Sequence, residues 1–526
     1  MKRLSKKQMI IFAIGQLGWS ILGGIINTWL VTFYLPTAND VETGAIKYIT
    51  PGLVIGGFLT ILGLITALSR VFDAVTDPWI ATLSDRSKNP RGRRIPFMQY
   101  SAIPFAVVTV LLFCAPVQET SAINIVWVSI FIILFYLFMT MYCTPYNALI
   151  SEFGKTQSDR MFISTAISLT YFAGTLLAYL PFLFGGVLRN AGLSFAWSYR
   201  VIFIVLAVIA LVAMLLPTFL IKEKDYVDSE PSHDNVFKSL ASTFKNKEFR
   251  KFSISDIMYW VGLTMFQTGL PFFVKVSMGL DEIWVTILMG VMTVLSACFY
   301  PFVTKFVQKF GKKKLVIFGF LGLAVAYVVT AFTNIIPMTQ TVDGVTSPTA
   351  IAYVFGFLIC LIAAFPMALL GIIPQSIVAD VAEAEAVTTG ENRQGMFFAA
   401  RTFAMKLGQS IAMLAFTSLA IINTQQDTSS NDIVPSTTGL MVVAFVAVAF
   451  CVAGAIILFG YREKKIMNLI AKKEDEGFFK EGAISEDRVK DDEEVVLEKE
   501  ENKEEVSIDN TPEEVKSEVP SGKEDE

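Results

Sequence analysis

Three charged residues stand close together inside an otherwise apolar stretch: Arg70, Asp73 and Asp77, with Thr76 between the two acids. Spacings of three and four residues place all of them on one face of a helix. Within a membrane each such charge costs roughly 2.5–3.5 kcal/mol on an insertion scale, so the group must be paired, hydrated or ligating something. Two carboxylates and a threonine hydroxyl are hard oxygen ligands suited to a small monovalent cation, and two neighbouring acids also raise the proton affinity of one of them. The competing reading is a static arginine–carboxylate clamp. Arg401 and Lys406, in a later apolar stretch, supply opposite charges that can answer the acids. A lysine that exchanges partners or gives up its proton serves coupling, whereas one that snorkels or pairs statically does not.

The polar sequence DRSKNPRGRRIP, from Asp85 to Pro96, follows directly and includes Arg93 and Arg94. Such a loop can latch two helical bundles through ion pairs that break as the bundles rock apart; the alternative is charge that only sets topology. Two segments echo each other at wide separation: PYNALISEFGKTQSDR at 145–160, with Glu152 and Arg160, and PQSIVADVAEAEAVTTGENR at 374–393, with Asp380 and Arg393. GRR at 92–94 is likewise echoed by GKKK at 311–314. The candidate coupling and gating set is therefore Arg70, Asp85, Arg93, Arg94, Glu152, Arg160, Asp380, Arg393 and Arg401. Aromatic and amide groups at Trp19, Tyr142, Asn147, Tyr259, Trp260 and Gln267 fall where a polar ring would be stacked and hydrogen-bonded. Trp19, Asn147 and Lys406 are the expected substrate contacts.

The elements that must position these residues are membrane helices. Of 526 residues, 53% are hydrophobic and only 17% charged, a balance outside that of soluble domains. About twelve apolar stretches are each long enough to cross a hydrocarbon core about 30 Å thick. Their approximate spans are 8–35, 52–83, 96–116, 123–150, 161–188, 199–221, 253–276, 283–307, 315–335, 350–378, 395–421 and 438–460. Stretches such as Val201 to Leu216 are apolar on every face, unlike the alternating strands of a barrel, so the predicted fold class is all-α. The polar stretch Lys222 to Lys251 divides twelve spans into two sets of six. The expected organisation is a first six-helix bundle at 1–221, a linker at 222–252, a second bundle at 253–465 and an acidic, unstructured tail at 466–526. Lysine and arginine crowd into alternate connections, which puts both termini and the linker in the cytoplasm and makes the chain a multi-pass protein of the cell membrane.

Composition also narrows the function. His233 is the only histidine, and Cys114, Cys143, Cys298, Cys360 and Cys451 are scattered within apolar stretches. No nucleophile–base or metal-binding constellation is visible, so an enzyme is not expected, nor an organic cofactor, nor a metal beyond a monovalent ion. The acidic tail lacks the apolar content of a folded sensory domain. Expected partners are a small-molecule substrate, a coupling cation and the lipid bilayer, without nucleic acid, for a monomeric carrier working by alternating access.

The segment SRVFDAVTDPWIATLSDRSKNPRGRRIPF, Ser69 to Phe97, resembles the signature of the glycoside-pentoside-hexuronide:cation symporters of the major facilitator superfamily. The 145–160 segment and Val378 to Gly408 resemble the matching regions after the fourth helix and around the eleventh. The resemblance implies two six-helix bundles and import of a sugar or glycoside with sodium or protons, lithium being a further option. It implies cation ligands at Asp73, Asp77, Thr76 and Thr140, and matches Lys406 to the family's eleventh-helix lysine. Sugar-recognition positions differ: Trp19 and Ser20 stand where galactoside carriers have lysine and aspartate, Cys143 where they have aspartate, and Ser168 where they have arginine. A different sugar, a glucuronide or a non-sugar such as a lysophospholipid therefore stays open.

Overall fold

The computed structural model describes residues 3–57, 59–154, 157–226, 236–333, 335–342, 345–389, 394–423 and 433–471. Among them run twelve helical segments of spanning length: α1 Lys6–Tyr34, α2 Ile61–Asp85, α3 Ile95–Leu112, α4 Ala122–Phe153, α5 Gln157–Leu177, α6 Phe195–Leu220, α7 Lys247–Phe272, α8 Glu282–Phe310, α9 Lys312–Phe332, α10 Ala350–Thr389, α11 Gln394–Leu419 and α12 Thr437–Phe459. After a short break α5 continues as Leu180–Asn190, and α7 runs on through a wider π turn, Phe273–Ser277. The fold is all-α; among the described residues the only strands form two small antiparallel hairpins, Leu53–Ile55 with Leu59–Thr60 and Thr339–Val342 with Val345–Pro348. The first hairpin replaces the start of the second predicted span, because Gly56 and Gly57 turn the chain through the left-handed region where a helix would have begun.

Among the described residues ten helices are long and apolar enough to cross a membrane. The two spanning-length helices outside that set are α2 and α11, the pair carrying Arg70, Asp73, Asp77, Arg401 and Lys406. On α6, Val205, Val208, Ile209 and Val212 are exposed while Phe203, Leu206, Ala210 and Met214 on the opposite face are buried, so one stripe meets lipid and the other the protein.

Helix packing repeats between the first six helices and the second six. α1 packs on α5 and α6 as α7 packs on α11 and α12, and α3 packs on α6 as α9 packs on α12. α2 crosses between the two sets and lies along α11. The chain divides into two compact units, Met1–Glu383 with Asn392–Glu463, and Ala384–Glu391 with Lys464–Glu526. All residues discussed below belong to the first.

Local capping fixes the helix starts. Ser5 accepts from the Gln8 backbone while Gln8 answers with its side chain, opening α1. Thr60 caps α2 by accepting from the Gly63 backbone at 3.0 Å, and its hydroxyl donates to Thr417 of α11, also at 3.0 Å.

Candidate functional site

Asp73 and Lys406 each lie twelve residues along their helices, about 18 Å from the first residue, and so sit near mid-depth of the membrane. Lys406 reaches from α11 between the two acids of α2. Its ammonium is 2.7 Å from Asp73 Oδ1 and 2.6 Å from Asp77 Oδ2, and 3.3 Å from the Asp73 carbonyl oxygen. The Thr140 hydroxyl of α4 lies 2.8 Å from Asp73 Oδ1 and 3.1 Å from Asp77 Oδ1. Having one proton, it donates to one carboxylate at a time. Thr144, one turn further on, stands 3.4 Å from Asp77 Oδ1. Asp73 is wholly enclosed, whereas the Asp77 side chain is 24% exposed, so entry to the pair is from the Asp77 side.

Arg70 completes the cluster. Its guanidinium is 3.9 Å from Asp73 Oδ2, donates to Asn27 of α1 and covers the Tyr136 ring at 4.7 Å. Thr76 is turned away, its hydroxyl donating to the Asp73 backbone carbonyl at 3.0 Å. Arg401 does not answer the acids of α2: it pairs in two-pronged fashion with buried Asp256 of α7, at 3.0 and 3.3 Å. The reason is helix packing, since α7 and α11 lie side by side and the arginine is one and a half turns from Lys406 on a different face. Asp256 escaped the sequence reading although an acid inside the span 253–276 was a visible signal.

Three cations, Arg70, Arg401 and Lys406, are thus matched by three carboxylates, Asp73, Asp77 and Asp256. Buried pairs of this kind are tolerated only with their hydrogen bonds in place.

The gating candidates form two equivalent stations at the helix ends near the chain termini. In the first, Arg94 meets Glu152 of α4 at 2.7 Å and Arg93 meets it at 3.5 Å. Glu223, just beyond α6, accepts from the backbone N–H groups of Arg93, Arg94 and Ile95 at 2.9 Å each. Gly92, at φ 129°, lets that carboxylate sit against the backbone, since a Cβ there would fall 2.3 Å from it. In the second, Lys312 pairs with Asp380 of α10 at 2.5 Å, and Glu463, just beyond α12, accepts from the Lys312 and Lys313 backbones at 2.6 and 3.1 Å. The echo of GRR and GKKK is therefore an echo of geometry, in which these ties hold each set of six helices to itself. Each glutamate is the first acid after its helix, a signal the sequence reading passed over. The side chains of Asp85 and Arg160, and all of Arg393, lie outside the described residues.

Ties between the two sets of helices sit at mid-depth, as described, and at the ends remote from the termini. There Lys275 pairs with Asp40 and, at 3.4 Å, with Glu282; Glu282 in turn holds Arg189 at 2.9 Å and accepts from the Tyr199 hydroxyl at 2.6 Å. Thr286 donates to the Tyr179 carbonyl at 2.9 Å, and Ser410 to the Ala67 carbonyl at 2.9 Å. Of the substrate candidates, Asn147 is exposed, Lys406 is committed to carboxylates, and the Trp19 indole N–H is buried without a protein partner. Tyr142 is a packing residue, donating to the Met214 carbonyl at 2.9 Å.

Over residues 11–462 the chain matches the family described as MFS/sugar transport protein. The chain belongs to this family. It is a membrane transporter of the major facilitator superfamily, a family of carriers rather than enzymes. It is similar to the isoprimeverose transporter of Lactiplantibacillus pentosus, 22% identical over 59% of this chain and 61% of the relative. It is also similar to the sodium-dependent lysophosphatidylcholine symporter 1 of Gallus gallus, 23% identical over 70% of this chain and 75% of that protein. The solved structure of a D-xylose–proton symporter shares the fold, with a TM-score of 0.58 at 15% identity, covering 87% of this chain and 98% of the other.

Proposed function

We propose that this carrier is a cation-coupled symporter of a small polar solute, a sugar or glycoside, working by alternating access. The observation that supports the reading is the seat of the Lys406 ammonium between Asp73 and Asp77. Two carboxylates and a carbonyl oxygen around one positive charge make a monovalent-cation site, and its present occupant is borne by the opposite set of helices. A sodium ion, or a proton on one of the acids, competes with that ammonium; lithium fits the same oxygen donors. Either event loosens a tie between α2 and α11, so cation binding and rearrangement of the two sets share one free energy. Thr140 and Thr144 supply further oxygens, with Thr76 turned to the backbone. No organic cofactor enters this scheme.

The positively charged connections support a cytoplasmic position for the termini and the station loops, which puts the ties at Lys275 and Glu282 on the outer side. The carrier functions as a monomer in the cell membrane. The test is uptake into vesicles of labelled isoprimeverose or D-xylose under imposed sodium or proton gradients. Asp77→Asn keeps the size and removes the charge; it is expected to express normally and to abolish gradient-driven accumulation. A mutant that still concentrates sugar would refute the cation site, and uptake of lysophosphatidylcholine but not sugar would refute the substrate class.

A further inference from the structure

The two oxygens of Asp73 meet different surroundings. Oδ1 faces the Lys406 ammonium at 2.7 Å and the Thr140 hydroxyl at 2.8 Å. Oδ2 is buried and has no hydrogen-bond partner among the described residues. Across from it stands the guanidinium of Arg70, three residues earlier on the same helix, whose own Nε is likewise buried and unpartnered among those residues. The two groups are 3.9 Å apart, about 1 Å beyond a direct charge-assisted hydrogen bond. A buried acceptor and a buried donor of opposite charge, both unmatched, would gain by closing that gap.

What holds it open comes from two other helices. Arg70 donates to the side-chain oxygen of Asn27 on α1, and its guanidinium lies over the Tyr136 ring of α4, with the central carbon 4.7 Å from the ring centre. Tyr136 is buried and the Arg70 side chain is only 6% exposed, so the guanidinium has no solvent to turn into. An arginine and an aspartate three residues apart on an isolated helix are free to meet. This pair is restrained from outside its helix.

The separation matters because of what a direct bond would do. Lys406 reaches Asp73 from the opposite set of helices and can withdraw when those helices move or an ion takes its place. Arg70 shares a helix with Asp73 and cannot be deprotonated. Bonded directly, it would occupy Oδ2 in every state of the cycle and leave a fixed pair where an exchangeable cation has to bind. Held back, its charge still favours the buried acid, while the oxygen stays open to an incoming ligand.

Resting on the cation-site reading above, we infer that Asn27 and Tyr136 are positioning residues that hold the Arg70 guanidinium off Asp73 and keep Asp73 Oδ2 available to the coupling ion. The experiment is sodium titration of the purified full chain by calorimetry, with the thermal midpoint in sodium-free buffer as the measure of folding. Asn27→Leu removes the acceptor and is expected to weaken sodium binding about tenfold, while the sodium-free midpoint stays near the parent's because the freed guanidinium gains a bond to Asp73. A merely structural asparagine would lower midpoint and affinity together. Asn27→Asp keeps the acceptor oxygen and should restore the affinity. Tyr136→Leu removes the aromatic face and should weaken sodium binding in the same direction, about threefold.

The sharpest arm is the cycle with Arg70→Gln. In that background Asn27→Leu and Tyr136→Leu should change sodium affinity by no more than about twofold, because no guanidinium is left to fall on Asp73. A loss in Asn27→Leu that persists without Arg70 would overturn the inference, as would a single Asn27→Leu that binds sodium as the parent does; the cation site survives both results. Should Asn27→Leu not fold, Tyr136→Leu decides by the same cycle. A parent chain that binds neither sodium nor lithium overturns the inference and leaves the proton as coupling ion, whereas uptake indifferent to both gradients removes the symporter reading itself.

Discussion

Lys406 separates two physical roles that look alike in a static view. If the ammonium holds the place of the transported cation, Lys406→Ala leaves two carboxylates that bind sodium more tightly but no longer report that binding to α11. The expected result is a larger sodium-induced rise in thermal midpoint than in the parent, together with loss of gradient-driven uptake. A structural clamp would instead give a protein whose lost stability sodium fails to restore. Arg401 and Asp256 test that second behaviour, since their two-pronged bond is buried. Asp256→Asn strands the guanidinium and should cost about 3–5 kcal/mol, whereas the double change Asp256→Asn with Arg401→Met should recover much of the loss. Denaturant unfolding of the three variants distinguishes them. The acids of α2 were legible from the sequence because charge spaced by four residues in an apolar helix has few explanations. The partner of Arg401 was not, because a single sequence shows that an arginine needs an acid but not which helix lies beside it.

At the level of elements, the third helix of each set of six is held at its start. Glu223 and Glu463 tie the starts of α3 and α9 to the chain leaving α6 and α12. Removing the acceptor from three backbone donors, as in Glu223→Ala, should cost about 1–3 kcal/mol and loosen the start of α3. Glu223→Gln keeps an acceptor oxygen and should lose less; hydrogen exchange at residues 93–95 measures both. The ties at Lys275 behave differently, since they join opposite sets. Lys275→Ala should weaken closure at that end and raise the reactivity of a cysteine placed at Thr60 toward an impermeant maleimide added outside. Unchanged reactivity would show that Thr286 and Ser410 hold the closure without Lys275. The sequence displayed the GRR and GKKK echo, but Glu223 and Glu463, which accept from those backbones, lie more than a hundred residues away, and no periodicity connects them. The hairpin before α2 was hidden for a related reason, as apolar strand and apolar helix have the same composition over so few residues.

For the whole molecule, twelve helices were readable because a bilayer demands long apolar segments and leaves little else to choose. The topology proposed from charge predicts that single cysteines at Ser5 and at Ser239, in the short helix Val236–Thr243 of the linker, are labelled only after the membrane is permeabilised; labelling from outside would reverse the orientation. Deleting everything after Lys472 is expected to leave insertion and uptake near the parent level, because that acidic stretch has little apolar surface to bury. At mid-depth the balance of Arg70, Arg401 and Lys406 against Asp73, Asp77 and Asp256 has an electrical consequence. Under the proposed sodium–sugar symport, a carrier returning empty would move no net charge through the membrane, while one carrying a sodium ion and an uncharged sugar would move one. A potential of 100 mV adds about 2.3 kcal/mol per elementary charge, so the interior-negative voltage of a cell drives the loaded passage and leaves the return untouched. Net sugar entry should then generate an inward current, whereas sugar-for-sugar exchange at equal sodium, in which the loaded carrier passes both ways, should carry no net current.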